Sequence, residues 1–206
     1  MAHIEQLVSS YKAHISAPWL RNLAGAQKTI FVVYPKTDER RLRARLELFE
    51  IATKECGHGW LLFDFTGVFA WWMAAADYRD EYFRSPSDLA LRLETDFLQY
   101  AAAQLREALT SQRVDGHSVV AVCGVASLYG FCRVSLLLKE IEKDIRGRLV
   151  LFFPGEYENQ NSTNQGTARW WFNRSLLRHR AVYGASGFLL APKIPRILLN
   201  IEQEEE

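Results

Sequence analysis

Cysteine is scarce in this chain, and what there is does not pair. Cys56, Cys123 and Cys132 are odd in number and none stands in a CxxC couple, so neither a disulfide framework nor a thiolate zinc site is expected. Such thiols fit a reducing compartment. Charge of one sign is missing as well. The 25 basic and 24 acidic residues leave a formal net charge of +1, which removes any whole-chain case for binding nucleic acid or an acidic membrane. No apolar run approaches the length that spans a bilayer, and the opening MAHIEQLVSSYKAHIS has no basic stretch followed by an apolar one. The expectation is a cytoplasmic protein without membrane contact.

The common signatures of nucleotide and hydrolase chemistry are absent too. No G-x-x-x-x-G-K-[ST] run follows any apolar stretch, no G-x-G-x-x-G follows the first one, and there is no G-x-S-x-G or H-E-x-x-H. His3, His14, His58, His117 and His179 are scattered. No catalytic residue, metal ligand set or cofactor is therefore expected. A hydrolase built on Asp64, Glu156 and His117 would have to be assembled from single residues, and carboxylates near a sheet's edge are common without being catalytic.

What is present is the pattern of an α/β protein. With 49% hydrophobic and 24% charged residues in 206, the chain is long enough for one substantial core and is read as a single domain over 1–206, with a segment of different composition at 158–206. Arg148 to Tyr157, RLVLFFPGEY, organises the rest. Leu149 to Phe153 is a continuous apolar run of the kind buried on both faces, which predicts a strand in mid-sheet. Pro154 cannot donate to a ladder and is expected just past its end, where Gly155 permits a turn. Glu156 and Tyr157 then stand at the sheet's carboxyl edge, the place where open α/β sheets bind ligands. The plainer alternative is a turn with a solvated Glu156.

Other apolar runs repeat that form. TIFVVYP (Thr29 to Pro35) reads as a buried strand, and WLLFDF (Trp60 to Phe65) and SVVAVCGV (Ser118 to Val125) as the second and third strands, the last leaving the sheet at Gly124. Ile4, Leu7, Val8, Tyr11 and Ile15 predict an opening amphipathic helix ended before Pro18. Asp38 is expected to cap a helix with apolar positions at Leu42, Leu46, Phe49 and Ile51. Its Arg40, Arg41, Arg43 and Arg45 have acidic partners at helical spacing and read as a solvated face. Ser85 to Asp88 opens a long helix to about Gln112 with a stripe of Leu89, Leu93, Phe97, Tyr100, Ala101 and Leu105. Strands alternating with helices argue for a mostly parallel sheet with helices on both faces, a Rossmann-like or P-loop-NTPase-like three-layer sandwich lacking the Walker A motif.

Several residues invite a functional reading. Asp64, a carboxylate in an apolar run, is a metal ligand or base on one view, and more readily a cap for the next turn. Between Gly67 and Phe83 lie Phe69, Trp71, Trp72, Tyr78, Tyr82 and Phe83. Packing explains most of them, and any exposed remainder marks a protein contact. Arg169, Trp170, Trp171, Arg174 and Arg178 interleave charge with rings, as single-stranded nucleic acid requires, although a helix packing its aromatic side on the sheet explains them better.

TIFVVYP, the GVASLYGFCR segment after the third strand and LVLFFPGEYEN at the fourth together resemble the BrxB family of bacterial BREX phage-defence systems. The family positions are then Tyr34 and Pro35, Gly124 and Arg133, and Phe153, Pro154, Gly155, Glu156 and Tyr157, and the likeness covers about Thr29 to Asn159. Downstream the chain departs from the family with a polar stretch and RWWF. The resemblance implies a small non-enzymatic subunit of a defence complex, docking on an alkaline-phosphatase-like PglZ component, and it carries over no catalytic residues. The alternative left standing by the residues is a degenerate nucleotide or nucleic-acid binder, with Arg133 near a strand exit.

Overall fold

The computed structural model describes residues 2–20 and 23–155. Among these residues four strands, β1 (Thr29–Tyr34), β2 (Gly59–Asp64), β3 (Ser118–Cys123) and β4 (Arg148–Pro154), form one all-parallel sheet in the order β1-β4-β3-β2. The α/β class expected from the alternation is therefore correct. β4 is interior to the sheet, as its apolar run predicts, and is buried from Leu149 onward. Every residue of β3 is buried.

The two outer strands are less covered, and for β1 this departs from expectation. β1 is not buried on both faces; Ile30, Val32 and Tyr34 point into the core and the residues between them are half-exposed. Side chains alternate between the two faces of a strand, so this alternation means that one face of β1 is packed and the other only partly covered. β2 is more open still: Gly59, Leu62 and Asp64 are exposed and Trp60, Leu61 and Phe63 are half-buried. Pro154 is the last residue of β4 rather than the first beyond it, a position where its missing N–H costs no ladder bond.

By internal packing the chain divides into two compact units. Among the described residues, the first holds 2–20, 31–58 and 153–155. Its opening helix α1 (Ala2–Ile15) buries Ile4, Leu7, Tyr11 and Ile15, the expected face apart from half-buried Val8. Tyr11 is fully covered and its hydroxyl lies 2.6 Å from Thr53 Oγ1, while Thr53 donates to the Phe49 carbonyl at 2.7 Å. The helix expected after β1 is broken into α2 (Glu39–Arg43) and α3 (Leu46–Glu55). That break turns Ile51 outward, 48% exposed, and buries Phe49, Ala52 and Thr53 instead. Asp38 stands at the N-cap of α2 but gives its backbone no side-chain bond. Its carboxylate is drawn to Arg41 at 3.3 Å, with His3 Nδ1 3.4 Å away. Arg43 pairs with Glu39 and Arg45 with Glu5, as a solvated basic face requires. At the carboxyl end of β1, Tyr34 O accepts from the Gly155 N–H at 2.9 Å, and Phe31 meets Phe153 edge-on at 6.2 Å.

The second unit holds 23–30 and 59–152. Between β2 and β3 run α4 (Val68–Ala74), α5 (Arg79–Arg84), α6 (Pro86–Arg92) and α7 (Leu98–Thr110). The single long helix expected from Ser85 is interrupted by a π-helical turn, Leu93–Phe97. One extra residue in a turn shifts the apolar stripe, so Phe97, Leu98, Ala101, Ala102, Leu105 and Leu109 are buried while Leu89, Leu93 and Tyr100 are only half-covered. From β3 the chain passes through a 3-10 turn, Val125–Leu128, to α8 (Val134–Ile141) and then β4. The α7–α8 pair is tied by Arg106, which donates to Asp144 at 2.8 Å and to the Glu140 carbonyl at 2.9 Å. Gly147 lies against the start of β3; a Cβ there would sit 2.0 Å from the Ser118 carbonyl oxygen.

Candidate functional site

Parallel pairing of β2 with β3 sets Asp64 beside Cys123, so the ends of both strands meet at the carboxyl rim. Asp64 Oδ1 accepts from the Thr66 N–H at 2.9 Å and from its hydroxyl at 2.6 Å. This is an Asx turn closed by the threonine. Gly124 completes it. With φ at +71° it takes a conformation that L side chains resist, and a Cβ would lie 2.3 Å from Asp64 Oδ1. Asp64 and Gly124 are thus brought together, and they explain each other as turn architecture: the carboxylate caps, and the glycine makes room for it.

The candidate hydrolase set is not brought together. His117 precedes β3, whereas Asp64 closes β2, and Gly59 is the residue that pairs with Ser118. The two side chains therefore stand at opposite ends of the strands, about 17–20 Å apart. That separation removes the reading of Asp64 and His117 as one catalytic pair. Among the described residues there is no group of three or more His, Cys, Asp or Glu placed to hold a metal ion. Among the described residues no cysteine is joined in a disulfide, and burial pushes the Cys132 thiol up to about 12, far from a reactive thiolate.

Arg133 sits at the N-cap of α8 with an extended backbone and an exposed side chain. Pro154 is buried and Gly155 half-buried. Glu156, Tyr157, Arg169, Trp170, Trp171, Arg174 and Arg178 lie outside the described residues. An open cleft in the first unit, lined by His3, Ile4, Asp38, Arg41, Ala44 and Arg45, has its charges largely satisfied by its own residues.

The dense aromatic stretch resolves into two groups. Phe69 stacks on Phe131 at 3.9 Å and 9°, and meets Phe97 edge-on at 5.4 Å. Trp72 closes the cluster at 5.3 Å from Phe97. Those rings bind α4, the π-helical turn and the approach to α8 together. The remainder faces solvent: Trp71 is 58% exposed, Tyr78 61% and Phe83 68%. Trp71 leans its indole on Gly67, where an added Cβ would meet the ring at 2.8 Å, and leaves the rest open. Tyr78 and Tyr82 lie within electrostatic reach of Arg92, whose guanidinium is raised above its ordinary value chiefly by its hydrogen bond to Asp96. The sequence placed every one of these rings on the page but had no signal to sort the packed from the exposed.

Residues 78–166 match the family model of the BREX protein BrxB. Over that stretch the chain is BrxB-like. The match takes in GVASLYGFCR and LVLFFPGEYEN and starts at the exposed Tyr78. It leaves TIFVVYP outside, and it runs past Asn159 to Gly166, so the departure from BrxB begins nearer RWWF than the sequence comparison of motifs placed it. No curated protein and no solved structure matches the chain.

Proposed function

We propose that this BrxB-like chain is a non-catalytic interaction subunit of a BREX-type complex that docks on an alkaline-phosphatase-like PglZ partner in the cytoplasm. The observation that carries the reading is the exposure of Trp71 on α4, Phe83 on α5 and Tyr78 at the N-cap of α5. Large rings left in water, beside others that the same segment packs away, are the usual anchors of protein interfaces. Arg133 and the family positions Gly155, Glu156 and Tyr157 are offered as further contacts. Arg133 is the basic one, a residue type that interfaces are enriched in.

The test is co-purification of the full chain with a PglZ-like protein expressed together with it. Replacing Trp71, Tyr78 and Phe83 with alanine is expected to leave the thermal transition nearly unchanged and to weaken the complex about thirtyfold or more, the effect of losing one hot spot. A triple variant that binds as well as the natural chain would remove these rings from the interface. A chain that never associates would end the reading. Salt-dependent binding to single-stranded DNA, lost when Arg169, Arg174 and Arg178 become alanine, would replace it with the nucleic-acid alternative.

A further inference from the structure

Among the described residues β2 ends the sheet, and its hydrogen bonds show which of its backbone groups face outward. The Gly59 N–H donates to the His117 carbonyl at 3.3 Å and the Phe65 N–H to the Cys123 carbonyl at 3.0 Å, on either side of a parallel register running Gly59 to Ser118 through Asp64 to Cys123. In a parallel ladder the bonded residues alternate. Gly59, Leu61, Phe63 and Phe65 therefore address β3, and Trp60 and Leu62 turn their N–H and C=O groups to the open side. Among the described residues no strand lies beyond β2, and none of the backbone bonds outside the ladders reaches Trp60 or Leu62.

Edges like this are normally guarded by lysine, proline, a bulge or a covering segment. The run WLLF has none of the first three, and Leu62 is 45% exposed. An apolar face alone does not say what covers it; a row of outward N–H and C=O groups does, because only another extended backbone answers both. Resting on the interaction reading above, we infer that the partner protein contributes an extended segment that pairs with β2 as an added strand, with apolar residues at alternate positions to cover Leu62. A second copy of this chain is the lesser fit. β2 is six residues long, and its edge alone buries far less than the roughly 1,000 Å² that a stable dimer needs, whereas an added peptide strand draws its affinity from main-chain bonds.

The experiment is residue-resolved amide hydrogen exchange of the full chain, free and in complex with the PglZ-like protein, over a range of concentrations. In the free chain Leu61 and Phe63 should exchange slowly and Trp60 and Leu62 fast; in the complex Trp60 and Leu62 should slow at least about tenfold. Leu62→Pro deletes an outward N–H without touching a bond to β3, and should weaken the complex. A complex in which Trp60 and Leu62 stay fast overturns the added strand while leaving the interaction reading intact. Absence of any complex removes both. Slowing in the free chain that grows with concentration assigns the edge to a second copy, and slowing at every concentration assigns it to this chain's own residues; either result overturns the inference.

Discussion

At the scale of single residues, Gly124 bears the sharpest constraint. Its positive φ alone makes an L side chain cost about 1–2 kcal/mol, and the space a Cβ would need is held by Asp64 Oδ1. Gly124→Ala is expected to lower stability by about 2–4 kcal/mol in urea denaturation. Adding Asp64→Ala to that variant should recover part of the loss, because the closest clash is then gone while those with Thr66 Oγ1 at 2.7 Å and Thr66 N at 2.8 Å stay, and the double-mutant cycle would show a coupling that two independent sites lack. The sequence marked both positions, Gly124 as a strand exit and Asp64 as an acid in an apolar run. It had no means of showing that they touch, since their contact depends on the register between two strands separated by four helices.

At the scale of elements, the entry to β3 carries a carboxylate whose role is conformational. Asp115 Oδ1 accepts from the Ser118 hydroxyl at 2.6 Å and from the His117 N–H at 2.9 Å, and those bonds, the serine's first, hold its carboxyl below the ordinary range. A depressed folded-state value means the ionised form stabilises the fold. That stability is present above the group's ordinary value and lost as pH falls through the lower one. Urea midpoints of the natural chain should therefore fall further between about pH 5 and pH 2.5 than those of Asp115→Asn, which has no such proton to take up. Helix continuity was the element-scale feature least legible in the sequence. Apolar spacing across Asp38 to Ile51 and across Ser85 to Gln112 suits an unbroken helix in both places. The breaks at Ala44–Arg45 and in Leu93–Phe97 follow from which side chains found a core to enter, Phe49 and Thr53 in one case and Phe97 in the other.

At the scale of the whole molecule, near-balanced charge has a direct consequence. A formal net charge of +1 and an isoelectric point of about 7.8 leave little mutual repulsion at neutral pH. Solubility measured against pH should pass through its minimum near pH 7.8 and rise on both sides, and binding a partner over the exposed rings should reduce that loss. No helix among the described residues is long and apolar enough to cross a membrane. The amino-acid sequence by itself determined that there would be a parallel α/β sheet with RLVLFFP inside it, because a run of consecutive apolar residues is stable as a strand only when both faces are covered. Only the tertiary structure decided that WLLFD, also largely apolar, lies at the edge of the sheet that the described residues form. Hydrophobicity states how much a strand can bury, and its place in the sheet, settled by the crossovers of the whole chain, states how much it does.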